Sequence, residues 1–231
     1  MNSRTRILIG TMAAALVVSL IAGVQLLRQP HDRPEIQGAL MQTPRELPAF
    51  TITDHHGEAF RDEDLTGDWQ LLSYGFTHCP DICPLTMGTK AQLLERLRDE
   101  GQYGDMELLF YSVDPGRDTP EHLAEYVTHF HPEMLGLTST DSPGETREVF
   151  ERGLGLVHEI PEKETGGNYM VNHGLLMYLI NPEGRLQAYF EPDVNPDGRI
   201  SYSVDQLHED YVAIRRHLER RGPDGGRLAG Q

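Results

Sequence analysis

Residues 75–84 read Gly-Phe-Thr-His-Cys-Pro-Asp-Ile-Cys-Pro, and they lie where an apolar run gives way to a helical pattern. They contain the only two cysteines of the 231-residue chain, Cys79 and Cys83. Two thiols this close in sequence form a disulfide, a redox pair or a pair of metal ligands. The residues around them are needed to choose among the three.

Strand and helix patterns alternate on either side of this segment. Residues 69–76 are almost continuously apolar, which predicts a buried strand, and residues 85–98 repeat apolar side chains at helical spacing. A second buried strand is predicted over 106–113, and a second helix begins at Pro120 with Thr119 as its N-cap. This order indicates parallel strands joined by crossover helices.

The remaining pattern completes an α/β domain. The further predicted elements are a short hairpin over 49–60, a helix over 143–152, a strand over 155–160, a loop over 162–168, a hairpin over 175–190 and a helix over 203–218. The order β-α-β-α, insertion, β-hairpin, α is that of a thioredoxin-like fold. In that fold the chemistry lies at the first strand–helix junction, where the two cysteines are.

The N-terminus carries the most apolar segment. Residues 7–27 contain no charged side chain, and about 20 such residues cross a bilayer, so we expect a transmembrane anchor. Residues 1–6 carry Arg4 and Arg6 and are predicted to stay in the cytoplasm, too short for a mitochondrial transit peptide. A cleaved signal peptide is the alternative, although its apolar region is usually only ~7–15 residues long. The domain is therefore predicted on the periplasmic side of a bacterial inner membrane.

Composition sets the other boundaries. Residues 28–44 are polar and proline-containing, which predicts a linker; residues 45–221 form the domain, and the Gly-rich residues 222–231 form a disordered tail. The net charge of -16 argues against a nucleic-acid partner, which would require a basic surface.

The local sequence favours reactive thiols. Pro80 and Pro84 make a regular helix over residues 79–83 unfavourable, so Cys83 is expected beside the unpaired N–H groups of a helix start. Those partial charges favour the thiolate, which binds metals and attacks disulfides. Two thiolates suit Cu(I) or zinc, and a third ligand must then come from elsewhere in the chain.

Four segments together resemble the Sco/SenC copper-binding proteins, in order and over roughly residues 45–220. They are GFTHCPDICP at 75–84, SVDPGRDTP at 112–120, LGLT at 135–138 and VNHGLLMYLI at 171–180. The resemblance implies that Cys79, Cys83 and His173 hold copper as Cu(I) or Cu(II). It places Asp114 near the site, and Asn172 stands where the family usually carries Asp, which removes a negative charge beside the ligand.

The resemblance implies a metallochaperone rather than an enzyme. Its acceptor would be subunit II of cytochrome c oxidase, which carries the CuA centre, or another copper-acceptor protein. The alternative is a thiol–disulfide oxidoreductase that reduces the acceptor's cysteines with the same dithiol. An inert disulfide and a thiol peroxidase are the remaining, weaker readings.

Other metal-binding side chains are assigned structural or surface roles. His55 and His56 are predicted in an exposed turn, and His78 is predicted to point away from the dithiol. His129 and His131, at a helix end, have a spacing that suits no firm chelate. The methionines are scattered, unlike a methionine-rich copper site.

Overall fold

The computed structural model describes residues 15, 18–19, 33–140, 142–161, 169–196 and 198–221. Residues 35–231 form one compact unit and residues 1–34 another. Four predicted segments lie outside the described residues: the N-terminus over 1–6, the anchor over 7–27 (apart from residues 15, 18 and 19), the loop over 162–168 and the tail over 222–231. Residues 28–32 of the predicted linker also lie outside them. Within the described part of the chain, no helix is long and apolar enough to cross a membrane.

Strands and α-helices alternate through the described part of residues 35–231, with a 3-10 turn over Asp62–Leu65. In chain order the elements are β1 (Gly38–Glu46), β2 (Thr51–Asp54), β3 (Ala59–Arg61), β4 (Trp69–Gly75), α1 (Ile82–Asp99), β5 (Met106–Ser112), α2 (Pro120–Phe130), β6 (Leu135–Thr138), α3 (Arg147–Leu154), β7 (His158–Glu159), β8 (Asn172–His173), β9 (Met177–Ile180), β10 (Arg185–Phe190), β11 (Asp193–Val194), β12 (Ile200–Ser201) and α4 (Val204–Arg221).

Eight of the strands form one mixed sheet in the order β1-β10-β9-β4-β5-β6-β2-β3. Strands β4, β5 and β6 are parallel, and the other neighbours are antiparallel. Strands β7 and β8 form a separate antiparallel pair. The predicted α/β class, with a central sheet flanked by helices, is confirmed.

Alternate side chains of the central strands enter two separate cores. Leu71 and Leu108 pack with side chains of α1, α2 and α4, whereas Leu72 and Leu109 pack with side chains of α3. Because successive side chains of a strand point to opposite faces, a buried central strand must be apolar at nearly every position. The continuous apolar runs in the sequence follow from this two-sided burial.

The strand directions bring two chain segments together at one end of the central strands. Strands β4 and β5 are parallel, so their carboxyl ends, at Gly75 and Ser112, lie side by side. Strand β9 is antiparallel to β4, so its first residue, Met177, lies toward the carboxyl end of β4. The loop before α1 and the segment before β9 therefore meet there.

The predicted linker over residues 28–44 is wrong from residue 38 onward. Strand β1 covers Gly38–Glu46 and pairs antiparallel with β10 at the edge of the sheet. Its register shifts between Leu40 and Arg45, and Pro44 lies within that irregular stretch. An edge strand accommodates proline because one of its sides needs no ladder hydrogen bonds.

One lysine of α1 is fully buried against the sheet. The side chain of Lys90 has no exposed surface, and its Nζ donates to Ser73 Oγ at 2.9 Å and to the Leu109 carbonyl at 2.6 Å. Burial disfavours the ammonium form and lowers the pKa of Lys90 to about 7. The stability of the domain should therefore depend on pH through this side chain.

We expect Lys90→Met to reduce the pH dependence of unfolding. A lysine in an unfolded chain keeps its proton up to about pH 10, whereas Lys90 in the folded chain loses it near pH 7. Between those values the unfolded state binds more protons, so the free energy of unfolding rises with pH. Urea unfolding from neutral to alkaline pH should show that rise shrinking by up to about 1.4 kcal/mol per pH unit in the variant. Equal slopes for both proteins would contradict the buried, proton-releasing lysine.

Candidate metal centre

The two cysteines lie at the start of α1. Cys79 is in the loop after β4 and Cys83 is in the first turn of the helix, which begins at Ile82 rather than after the second proline. Pro84 fits there because the first N–H groups of a helix have no intrahelical partner to lose. Both cysteines are free thiols and almost fully buried, with exposed fractions of 7% and 4%. They are not joined in a disulfide.

The predicted third residue reaches the same place. His173 is in β8, which comes just before β9, and its Nε2 is 3.7 Å from Cys83 Sγ. The two sulfurs and one imidazole nitrogen all lie within 4.8 Å of one another. The structure therefore brings together the three side chains singled out in the sequence.

The imidazole of His173 is held with its Nε2 toward the cysteines. Its Nδ1 is 2.6 Å from the carbonyl oxygen of Gly174, and a carbonyl can only accept, so Nδ1 carries the proton. Nε2 consequently presents a lone pair. The ring also packs against Tyr74 and Phe76, with centroid separations of 5.7 and 5.8 Å.

The β7–β8 pair orients this histidine from behind. His158 of β7 is directly opposite His173, and its Nε2 lies 3.1 Å from the Glu151 carboxylate of α3. The same carboxylate accepts a hydrogen bond from Tyr111 of β5 at 2.8 Å. Strand β8 is thereby connected to the main domain through α3 and β5, which the sequence analysis did not foresee.

Gly75 lies directly against the Cys83 sulfur and the His173 ring. A Cβ at this position would be 2.6 Å from Cys83 Sγ and 3.4 Å from Cε1 of the His173 ring. The first distance is far inside van der Waals contact, so a side chain here would displace the sulfur. The last residue of β4 must lack a side chain for the sulfur and the imidazole to approach one another.

The two thiols share a hydrogen bond and titrate as a pair. The pKa of Cys79 is lowered to about 4, chiefly by its hydrogen bond with Cys83, which outweighs the opposing effect of burial. The pKa of Cys83 is raised by the same hydrogen bond, by burial and by the charge on Cys79. The sequence predicts the thiolate at Cys83; the structure favours Cys79, because Cys83 is the thiol that keeps its proton. At neutral pH the pair carries one negative charge.

A buried carboxylate that the sequence analysis missed fixes the loop before Cys79. Asp118 has no exposed surface, and its Oδ2 accepts from the Thr77 backbone N–H at 2.9 Å and from the Ser112 hydroxyl. Its Oδ1 accepts from the Thr77 hydroxyl at 2.6 Å. The signal was available, because Asp118 belongs to the same polar segment as Asp114, immediately after β5.

Asp114 and Asn172, predicted near the site, make no described contact with its three side chains. The Asp114 carboxylate is buried and accepts hydrogen bonds from Arg117 and from the Tyr169 hydroxyl. The Arg117 guanidinium lies 5.6 Å from the centroid of the Phe76 ring, so any influence of Asp114 on the site is indirect. Asn172 is exposed on β8.

The other histidines divide into buried and exposed ones. The predicted exposed turn is wrong for His55, whose Nδ1 accepts from the Gly136 N–H at 2.9 Å in a buried position. His131 is also buried and pairs with Glu95 at 3.0 Å. His78 lies outside the group formed by the cysteines and His173, as predicted.

Comparison with known proteins gives one consistent family. Residues 39–207 match the family described as SCO1/SenC. The chain is 34% identical over 221 residues to the human mitochondrial protein SCO2 homolog, covering 93% of this chain and 76% of that protein.

Solved structures agree with this result. Copper-bound ScoI from Arabidopsis thaliana superimposes with a TM-score of 0.62 at 32% identity, covering 74% of this chain and 98% of that one. Copper-bound yeast Sco1 gives a TM-score of 0.63 at 28% identity, covering 78% and 95% of the two chains.

We expect Gly75→Ala to destabilise the reduced protein by about 1–3 kcal/mol, the usual cost of overpacking a tight site. The added methyl group would push Cys83 Sγ away from His173 and make the thiols easier to alkylate. Gly88→Ala is the matched control, since a Cβ on this α1 glycine would meet no atom within 4 Å. That change should leave alkylation unaltered and stabilise the helix by up to about 1 kcal/mol. Urea unfolding and thiol alkylation rates measure both, and identical behaviour of the two variants would refute the close approach.

Proposed function

The chain belongs to the SCO1/SenC family, and on that premise we propose that Cys79, Cys83 and His173 bind a copper ion for delivery to an acceptor protein. The observation that carries the proposal is the convergence of two sulfurs and one unprotonated imidazole nitrogen within 4.8 Å. Relatives with the same fold were solved with copper bound.

The donor set supports copper over zinc. Thiolates are soft ligands that suit Cu(I), and Cu(I) is satisfied by two or three donors, whereas a structural zinc site normally takes four. The described residues bring three such donors together here. Cys79 is already largely a thiolate at neutral pH, so binding needs the loss of one further thiol proton.

The proposed role is transfer of the ion by ligand exchange. The site lies at the carboxyl ends of the central strands, and His173 is only partly buried. Donors of an acceptor can therefore approach from that side. The acceptor we propose is the CuA-bearing subunit II of cytochrome c oxidase, which the resemblance of the four sequence segments implies. Copper is then cargo rather than a resident cofactor.

We further propose that residues 7–27 tether the domain to the bacterial inner membrane, with the copper site on the periplasmic side. The support is the 21-residue stretch without a charged side chain, preceded by Arg4 and Arg6. The tether would keep the domain close to a membrane-embedded acceptor.

The paired thiols support a second candidate, reduction of a disulfide in the acceptor. The lowered pKa of Cys79 makes its sulfur a nucleophile at neutral pH. Its attack on the acceptor's disulfide forms a mixed disulfide and releases one acceptor thiolate. Cys83 then gives up its proton and attacks Cys79 Sγ, which leaves a Cys79–Cys83 disulfide and a fully reduced acceptor.

Anaerobic titration of the reduced chain with Cu(I), in competition with a chromogenic chelator, should give one tightly bound equivalent per chain. His173→Ala removes one of three donors and should weaken binding by at least about tenfold. The control is His56→Ala, because His56 is exposed and lies outside the group. Turnover of disulfide substrates without tight Cu(I) binding would favour the reductase and reject copper delivery.

The tether can be tested separately by membrane fractionation. The full chain should stay with the membrane pellet through high salt and alkaline carbonate, because a spanning helix is held by the hydrocarbon core. A chain shortened to begin at residue 33 should appear in the soluble fraction. Release of the full chain by carbonate would contradict a spanning anchor.

A further inference from the structure

A second group of metal-binding side chains lies beside the loop that carries Cys79. One atom each of His78, His122 and Asp118 lie within 4.8 Å of one another. His78 belongs to the loop after β4, Asp118 precedes α2, and His122 is in the first turn of α2. The centroids of the two imidazole rings are 5.6 Å apart.

The three side chains converge on the hydroxyl of Thr77. Its Oγ1 lies 2.6 Å from Asp118 Oδ1, 3.1 Å from His78 Nδ1 and 3.0 Å from His122 Nε2. The hydroxyl has a single proton, which it donates to the carboxylate. Without an ion, both imidazoles must donate toward the same oxygen. With an ion, the same two nitrogens would present lone pairs, their ring protons would move to the other nitrogens, and Thr77 Oγ1, which lies between the three ligand atoms, would also contact the ion.

The charge balance favours the ion. The Asp118 carboxylate is completely buried, and its hydrogen-bond donors in the described chain, on Thr77 and Ser112, are neutral. Its ion-pair partner among the described residues is His78, at 3.9 Å and with its side chain 51% exposed. Buried carboxylates are usually balanced by a cation or coordinate a metal. A divalent ion held by both histidines would supply that balance.

We propose that His78, His122 and Asp118 form a second metal site, for a divalent ion such as Zn²⁺ or Cu²⁺. Two imidazole nitrogens and one carboxylate oxygen suit these ions, and water can complete the coordination because both histidines are exposed. The proposal does not rest on the dithiol binding copper. It adds a harder donor set next to a softer one, since His78 and Cys79 are consecutive.

The two donor sets would separate metals by oxidation state. The thiolates and His173 prefer Cu(I), whereas nitrogen and oxygen donors prefer the divalent state. A chain with both sites could hold Cu²⁺ or Zn²⁺ at the surface while Cu(I) occupies the dithiol. The loop that carries His78 and Cys79 is held in place by Asp118, and it would couple ion binding at one site to ion binding at the other.

The test uses the full chain with Cys79→Ser and Cys83→Ser, which removes the dithiol and leaves the second group intact. Titration with Zn²⁺ by calorimetry at physiological salt should show one equivalent bound at micromolar concentrations. His122→Ala in this background should weaken binding by at least about tenfold. His129→Ala is the matched control, because His129 is also exposed on α2 and belongs to no metal-binding group described here.

A second measurement identifies the ligands. Cu²⁺ replacing Zn²⁺ should give an electron paramagnetic resonance spectrum with hyperfine splitting from two nitrogens, reduced to one in the His122→Ala chain. Circular dichroism should confirm that the double-serine chain and both histidine variants made in it are folded. Absence of Zn²⁺ binding, or equal weakening by His122→Ala and His129→Ala, would overturn the proposal. Because the dithiol is absent, neither result depends on whether it carries copper.

Discussion

The buried carboxylate of Asp118 is the constraint on which the organisation of the loops at the carboxyl ends of β4 and β5 depends. Parallel pairing of β4 and β5 brings two loops together, but it does not fix the path of either. The carboxylate fixes both, by accepting hydrogen bonds from the backbone and hydroxyl of Thr77 and from the hydroxyl of Ser112. Phe76, next to Thr77, then packs against the ring of His173. Loss of this anion would leave several buried donors without acceptors, which is costly.

Elements whose pattern is local were predictable, and elements defined by distant partners were not. Strands β4 and β5 are buried on both faces and read as continuous apolar runs, and α2 begins with a clear N-cap at Thr119. Strand β1 shows neither alternation nor a continuous run. It exists because the edge of β10 offers it hydrogen bonds, with Gly38 opposite Phe190. That information lies in the partner strand rather than in the segment itself.

The candidate site divides in the same way. Cys79 and Cys83 were visible because they are neighbours in sequence, whereas His173 was assigned only through a family resemblance. Gly75 acts through the absence of a side chain, which no residue pattern announces. His55 was misassigned because its buried partner, Gly136, belongs to β6, which pairs alongside β2 only in the folded sheet. Sequence reasoning found the donors and missed the contacts that position them.

The separation of the three donors along the chain has a consequence for the order of events. His173 is 90 residues from Cys83, so their approach closes a large loop, whose entropic cost is met only when β4, β9 and the β7–β8 pair have formed. Before that, the chain presents a bare dithiol within one short loop. A soft ion bound by this dithiol before folding would take its third ligand from solvent or from another side chain rather than from His173. Capture after folding instead stabilises the native state by mass action, so the complete site reports that the chain has folded.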